Sequence, residues 1–136
     1  MPPEITLRIN RPCTPEEAAD VFRRSGIRRP YHDLERIQRM LDHADELITA
    51  YDGNRLIGLL RAITDYAYCC YISDIAVDLQ YQGLGIGKSL LNALRDKLGE
   101  TEIQYVLTSA PKATGFYEKT GFERAKNAYV IKRKIN

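Results

Sequence analysis

The sequence predicts an α+β (mixed α/β) fold with a central, mostly antiparallel sheet flanked by about four helices. Strand-like segments form a consecutive run in the middle of the chain, amphipathic helical segments precede and follow that run, and a glycine-rich loop joins the run to the next helix. The 136 residues, of which 44% are hydrophobic and 28% charged, are typical of one globular domain. We therefore expect a single domain over residues 1–136.

The first part of the chain predicts one strand and two helices. Residues 5–9 alternate apolar and polar side chains, which indicates a strand. Thr14 and Pro15 have the residue types of an N-cap and a first helical position, so a helix begins there and runs toward Gly26. Apolar residues at helical spacing predict a second helix over residues 33–44.

The middle of the chain predicts an antiparallel meander. Residues 47–51 and 55–63 read as strands on either side of Asp52-Gly53-Asn54, a sequence typical of a tight hairpin turn. A third strand follows over residues 68–77, rich in tyrosine and β-branched residues.

Four further elements complete the predicted order. Residues 86–98 are amphipathic and end at Gly99, as expected of a helix with a C-terminal glycine. A strand is expected over residues 103–108, a short helix over 112–119 and a closing strand over 128–134.

Composition argues against several classes of function. A net charge of +2 gives no basis for a nucleic-acid partner. No apolar run reaches the roughly 18 residues of a membrane span, and residues 1–4 do not begin a basic and apolar leader, so we expect a cytoplasmic protein with no membrane partner. Cys13, Cys69 and Cys70 lack metal-site spacing, so we expect reduced thiols and no metal.

The segment Gln82-Gly83-Leu84-Gly85-Ile86-Gly87-Lys88-Ser89 has the character of a phosphate-binding loop. A Walker motif would place glycine where Gln82 stands, and a dinucleotide-binding motif would place glycine where Lys88 or Leu90 stands. The loop nevertheless precedes a helix, whose N-terminus leaves unpaired amides and a partial positive charge. We expect the amides of residues 84–88 to bind a phosphate group.

Two signatures resemble the GCN5-related N-acetyltransferase (GNAT) family. Gln82, Gly85 and Gly87 match its acetyl-CoA motif Q/R-x-x-G-x-G/A, and residues 113–122 are similar to A-x-x-x-Y-x-x-x-G-F. The resemblance implies the GNAT fold and acetyl-CoA (coenzyme A) as cofactor. The implied cofactor-binding residues are Ile75, Ala76, Val77, Gln82, Gly83, Leu84, Gly85, Ile86, Gly87, Lys88, Ser89, Ser109 and Phe116.

The resemblance also implies a catalytic acid, Tyr117, which would protonate the departing thiolate. In histone-acetylating members a glutamate base lies eleven residues before the motif glutamine, where this chain has Tyr71. Asp74, the nearest acid on that strand, is the candidate base, directly or through water, and a purely structural role is its alternative. Ala110 replaces an asparagine common in the family, so one side-chain contact to the cofactor is expected to be either missing or supplied by Ser109.

The acceptor side is expected to contain Arg29, Tyr31, Tyr66, Tyr68 and Tyr71. Aromatic walls suit a small arylalkylamine or another amino compound, whereas arginine suits an acceptor with a carboxylate or phosphate. We expect an acetyl-CoA-dependent N-acetyltransferase that acts on a primary amine by direct attack; an acetyl-cysteine intermediate on Cys69 or Cys70 lacks an evident base. Alternatives are a non-catalytic acyl-CoA-binding or sensing module, and a protein N-terminal or lysine acetyltransferase. A homodimer is compatible with the resemblance.

Overall fold

The computed structural model describes residues 4–135 and contains one five-stranded sheet. Residues 1–3 lie outside this range, and with them most of the N-terminal segment considered above. The first four strands are antiparallel neighbours, and the fifth is parallel to the fourth. In sheet order the strands are β1 (Ile5–Ile9), β2 (Glu46–Asp52), β3 (Arg55–Thr64), β4 (Cys69–Val77) and β5 (Gln104–Val106).

Four α-helices accompany the sheet: α1 (Pro15–Ser25), α2 (Leu34–Asp42), α3 (Ile86–Leu98) and α4 (Thr114–Lys119). Helix α1 begins with a reciprocal capping box between Thr14 and Glu17 and ends at Gly26, whose φ of 83° is left-handed. The predicted mixed fold, with its mostly antiparallel sheet and four helices, is confirmed.

The helices cover opposite faces of the sheet. Helix α3 packs on one face with Leu60, Cys70 and Ile72, whereas α1 and α2 pack on the other face with Leu59 and Ala76. Each face thereby buries an apolar layer, which is the main stabilising contribution in a sheet covered by helices on both faces. Among the described residues, no helix has the length and apolar composition needed to cross a membrane.

The sheet opens beside the C-terminal half of β4. Residues 69–71 pair with β5, but residues 72–77 continue without a described strand on that side. A register shift opposite Arg61 and Ala62 lies close to the point where pairing with β5 ends. We call the opening between residues 72–77 and the chain that follows β5 the fork.

The predicted closing strand is wrong for the described chain. Residues 128–134 form no strand, and Tyr129 and Ile131 are 95% and 100% exposed. Strand β5 is also shorter than the six residues predicted, because no described segment pairs with its second edge. The apolar side chains of Tyr129, Val130 and Ile131 are thus exposed, with no described neighbouring strand that pairs with this segment.

Candidate active site

The glycine loop forms a phosphate cradle at the N-terminus of α3. Gly83 and Gly85 have φ values of 83° and 80°, which glycine adopts without steric cost. The first helical hydrogen bond runs from the Ser89 amide to the Gly85 carbonyl, at 3.0 Å. The amides of residues 84–88 donate to no acceptor within the described chain. These five donors therefore lie free at the positive end of a 13-residue helix.

Three of the predicted cofactor residues make local contacts with the loops themselves. The Gln82 side chain donates to the Val77 carbonyl at 2.9 Å, which ties the loop to the end of β4. The Ser89 hydroxyl donates to the Gly85 carbonyl at 3.0 Å, and that of Ser109 donates to the Ala110 carbonyl at 2.8 Å. These side chains hold the loops, whereas the Lys88 side chain is exposed beside the cradle.

The second signature packs directly on the first. A Cβ atom at Gly87 would lie 3.3 Å from Cζ of Phe116 and 3.9 Å from Cγ2 of Val77. The Phe116 and Tyr117 rings are 5.1 Å apart and nearly perpendicular, and Tyr117 and Phe122 are 5.7 Å apart in a similar arrangement. Three aromatic rings therefore pack α4 against the cradle, and the Tyr117 ring lies between those of Phe116 and Phe122.

The Tyr117 hydroxyl lies within electrostatic range of the fork. Burial raises the pKa of Tyr117; the Arg29 charge opposes this shift and the Asp74 charge adds to it. A phenol with a raised pKa stays protonated at neutral pH. Tyr117 can therefore donate a proton to a thiolate, whose pKa is about 8.5.

Asp74 is the centre of a buried ion cluster that we call the Asp74 clamp: Asp74, Arg29, Arg61 and Ser73. The Asp74 side chain is fully buried, and its two oxygens accept from Nε of Arg29 and, at 2.6 Å, from Nε of Arg61. Arg29 also donates to the Ser73 carbonyl at 2.7 Å, and Arg61 to the Ser73 hydroxyl at 2.8 Å. The clamp thus joins the α1–α2 loop to β3 and β4 beside the fork.

This geometry changes the roles expected of two residues. Both Asp74 oxygens already accept hydrogen bonds from charged donors, so its contacts fit a positioning role better than that of a base. All three Arg29 nitrogens are engaged, since its third donates to the Arg28 carbonyl at 2.6 Å. These contacts argue against the expected role of Arg29 in binding an anionic acceptor.

The predicted acceptor tyrosines lie in different places. Tyr31 packs on the core beneath α1 and α2, and its ring is 4.4 Å from that of His32. Tyr71 is 41% exposed and pairs with Ile63 and Val106, on the sheet face that α1 and α2 cover. These positions place Tyr31 and Tyr71 on the same side of the sheet as the α1–α2 loop.

Tyr66 and Tyr68 lie away from that side. The Tyr66 hydroxyl donates to Glu46 at 2.6 Å, and Lys97 of α3 binds the same carboxylate at 2.7 Å. Tyr66 therefore belongs to the α3 face. Tyr68 precedes β4 at the end opposite the cradle and is 77% exposed. Neither position suits contact with an acceptor at the fork.

The sequence patterns did not indicate a role for Arg61, which forms one of the two ion pairs with Asp74. A signal was present, because Arg61 is a lone charge within the otherwise apolar segment 56–63. A charge in a central strand requires a buried partner. Its alternation with Leu59 and Ile63 assigns it to the face of α1 and α2.

Known proteins resemble this chain in both sequence and fold. A family model described as an acetyltransferase (GNAT) domain matches residues 13–134. The chain belongs to the GNAT acetyltransferase family. The GNAT family acetyltransferase SP0256 of Streptococcus pneumoniae TIGR4 superimposes with a TM-score of 0.76 at 25% identity, covering 96% of this chain and 100% of that one.

This chain matches only part of the length of two curated relatives. The uncharacterized N-acetyltransferase ycf52 of Porphyra purpurea is 32% identical over 101 residues, which are 71% of this chain and 56% of that protein. Serotonin N-acetyltransferase 2, chloroplastic, of Oryza sativa subsp. japonica is 30% identical over 108 residues, 76% of this chain and 53% of that protein. This GNAT chain spans about half the length of these relatives.

The GNAT family implies acetyl-CoA, and the residues present fit that group. Five free amides at a helix N-terminus match the charge of a pyrophosphate. Residues 72–77 offer a strand edge along which an extended pantetheine arm can pair. Gly87 has no side chain between that edge and Phe116.

Proposed function

We propose that this chain transfers an acetyl group from acetyl-CoA to a primary amine, by direct attack of the amine in a ternary complex. The observation that carries the proposal is the packing of Phe116 on Gly87, which joins the free amides of the cradle to Tyr117 beside the fork. A phosphate-binding cradle alone can bind any phosphate compound. A cradle next to a proton donor and an open strand edge has the parts that acyl transfer from acetyl-CoA requires.

The chain's own residues would bind and orient the donor. The amides of residues 84–88 hold the pyrophosphate, and the backbone of Ile75, Ala76 and Val77 pairs with the pantetheine arm. Acetyl-CoA supplies the activated thioester. Strand β4 runs from the Asp74 clamp to the cradle. It therefore sets the distance between the pyrophosphate bound at the cradle and the thioester bound near the clamp.

Tyr117 would complete the reaction by proton donation. The amine nitrogen forms a bond to the acetyl carbonyl carbon, the carbon–sulfur bond then breaks, and the thiolate takes the Tyr117 proton. Burial raises the pKa of Tyr117, which keeps the proton on the phenol until the thiolate forms. The proton lost by the amine returns through solvent to the phenolate.

The acceptor amine must be neutral before it attacks. At pH 7 about one alkyl amine in a thousand or fewer is uncharged, a handicap of roughly 4 to 5 kcal/mol. The Asp74 clamp leaves that carboxylate engaged, so we propose that solvent accepts the proton. The logarithm of kcat/KM is then expected to rise with pH toward the pKa of the free amine.

Tyr31, His32 and Tyr71 favour an aromatic acceptor. They lie on the side of the sheet that carries the α1–α2 loop, and the Arg29 charge on that side is engaged in the Asp74 clamp. An arylalkylamine matches apolar and aromatic walls without requiring an anion site. The rice relative is named for serotonin, an amine of this class.

A thiol-release assay with acetyl-CoA tests the proposal. The amine panel contains serotonin, phenethylamine, spermidine, free lysine and two peptides, one with a reactive N-terminus and one with an internal lysine. We expect turnover with the arylamines. Turnover with peptides alone would favour a protein acetyltransferase, and tight CoA binding without turnover for any amine would favour the sensing module.

A further inference from the structure

Ser73 is an extra residue in β4 at the point where its pairing with β3 shifts register. The consecutive β3 residues 61–62 pair with Asp74 and Ile72, so Ser73 has no partner in β3. It follows two residues after Tyr71, the last β4 residue that pairs with β5, and its side chain is half-buried. An extra residue of this kind redirects a side chain and is common beside active sites. Ser73 therefore lies near the closed end of the fork.

The Ser73 hydroxyl has a proton that it can donate. Its oxygen accepts a hydrogen bond from Nη2 of Arg61 at 2.8 Å, and a guanidinium can act only as the donor. A serine hydroxyl has one proton, and within residues 4–135 that proton has no acceptor. The charged bond to its oxygen polarises the hydroxyl and strengthens its donation. Because Arg61 lies on the face of α1 and α2, the hydroxyl lies on that side of the fork.

The surroundings of this hydroxyl favour negative charge. The Asp74 clamp contains two guanidinium groups and one carboxylate, which leaves a net charge of +1 beside Ser73. Arg29 donates to the Ser73 carbonyl at 2.7 Å, so the backbone of this residue is held as well as its side chain. A fixed donor beside a positive cluster stabilises an oxygen that gains negative charge during a reaction.

We propose that the Ser73 hydroxyl donates a hydrogen bond to the carbonyl oxygen of the acetyl thioester. The inference rests on the proposed function, in which that oxygen gains negative charge as the amine nitrogen bonds to the carbonyl carbon. The hydrogen bond stabilises this charge, and the hydroxyl keeps its proton throughout.

The position of Ser73 along β4 fits this role. Val77 lies beside the cradle, since its Cγ2 is 3.9 Å from a Cβ placed on Gly87. The open edge from Val77 to Ser73 is about 13 Å long, and it is the path along which an extended pantetheine arm pairs. Tyr117 then serves the sulfur of the thioester, and Ser73 serves its oxygen.

Infrared difference spectroscopy tests this contact without turnover. The full chain is mixed with acetyl-CoA that carries carbon-13 at the carbonyl carbon. A hydrogen bond weakens the carbonyl bond, so the bound carbonyl should absorb at a lower frequency in the unsubstituted chain than in Ser73→Ala. Ser73→Thr keeps the hydroxyl and should keep the lower frequency. Ser73→Cys keeps a side chain of similar size with a weak donor, and its band should lie near that of Ser73→Ala.

Ser25→Ala is the matched control. It removes a buried hydroxyl that donates to the Phe22 carbonyl at 2.8 Å, at the end of α1, and should leave the carbonyl band in place. One band position for the unsubstituted chain, Ser73→Ala and Ser73→Cys, with acetyl-CoA bound to all three, would overturn the role of Ser73 and leave the proposed function intact. Absence of acetyl-CoA binding to the unsubstituted chain would overturn both.

Kinetics separate this hydrogen bond from a role in binding. Loss of one donor to an oxygen that gains charge lowers kcat about a hundredfold, so Ser73→Ala should show a fall of this order with an arylalkylamine as acceptor. Its affinity for acetyl-CoA, measured by calorimetry, should change little, and Ser73→Thr should recover most of kcat. A loss confined to acetyl-CoA affinity would assign Ser73 to binding and would overturn the proposal.

Discussion

Replacement of Asp74 by alanine is expected to lower the free energy of unfolding by about 3–5 kcal/mol. Asp74 is fully buried, and alanine leaves Arg61, whose side chain is 10% exposed, without its carboxylate. The remaining guanidinium loses its counter-ion in a site of low polarity, which costs more than the loss of an exposed pair. With a urea dependence of about 2 kcal/mol/M, the unfolding midpoint should fall by about 1.5–2.5 M.

Asp20→Ala is the matched control. Asp20 also binds two arginines, Arg23 at 2.6 Å and Arg24 at 3.0 Å, but its side chain is 39% exposed. Exposed pairs contribute about 1 kcal/mol or less, so the Asp20 variant should unfold close to the unsubstituted chain. Equal losses for Asp74→Ala and Asp20→Ala would refute the argument from burial.

Asp74→Asn separates a positioning role from a basic one. Asparagine keeps the shape of the side chain and removes its charge, so the clamp is weakened without a cavity. A positioning role predicts a higher KM for the acceptor and an unchanged shape of the kcat/KM profile against pH. A fall of about a hundredfold or more in kcat, with the KM for the acceptor unchanged, would show that Asp74 is the base after all.

Three further outcomes are expected. Tyr117→Phe should lower kcat at least about tenfold with little change in acetyl-CoA affinity by calorimetry; unchanged kcat would remove Tyr117 as the acid. Gly87→Val should displace Phe116, whose Cζ would lie 3.3 Å from the added Cβ, and weaken acetyl-CoA binding more than Gly115→Val, whose Cβ meets nothing within 4 Å. Burial opposes ionisation of Glu46, but hydrogen bonds from Lys97, Tyr66 and Asn10 lower the pKa of this carboxyl. The ionised Glu46 should therefore stabilise the fold above about pH 4.3, the pKa of an unfolded glutamate, and this stabilisation should be lost as the pH falls through the lowered pKa. The difference in urea unfolding between Glu46→Gln and the unsubstituted chain should therefore be present at pH 7 and shrink as the pH falls through the lowered pKa; a constant difference would contradict this sign.

Local sequence patterns predicted most of the fold, because each depends on neighbouring residues. The Thr14 and Pro15 start of α1, the Gly53 turn and the period of α3 are all local features, and the structure has them at the expected positions. The cradle could be predicted in the same way, because a glycine-rich loop before a helix determines both the loop conformation and which helix amides lack an acceptor.

Contacts between distant residues could not be predicted in this way. Asp74 is 45 residues from Arg29 and 13 from Arg61, and no pattern indicates that the three meet. Proximity to β4 in sequence predicts Tyr66 on the acceptor side, yet its hydroxyl donates to Glu46 on the opposite face. Tyr129, Val130 and Ile131 have residue types typical of a strand, but residue types alone do not provide a neighbouring edge, and the predicted strand is absent.

A single-turnover experiment with carbon-13-labelled acetyl-CoA and an arylalkylamine tests the proposed direct transfer most directly. The reaction is quenched at intervals, and the masses of the intact protein and of the amine product are measured together. The proposed mechanism predicts labelled amide that accumulates in step with free CoA, with no acetylated protein at any time and none when the amine is omitted. Labelled protein that forms before the amide, or bound acetyl-CoA that yields no amide, would contradict it.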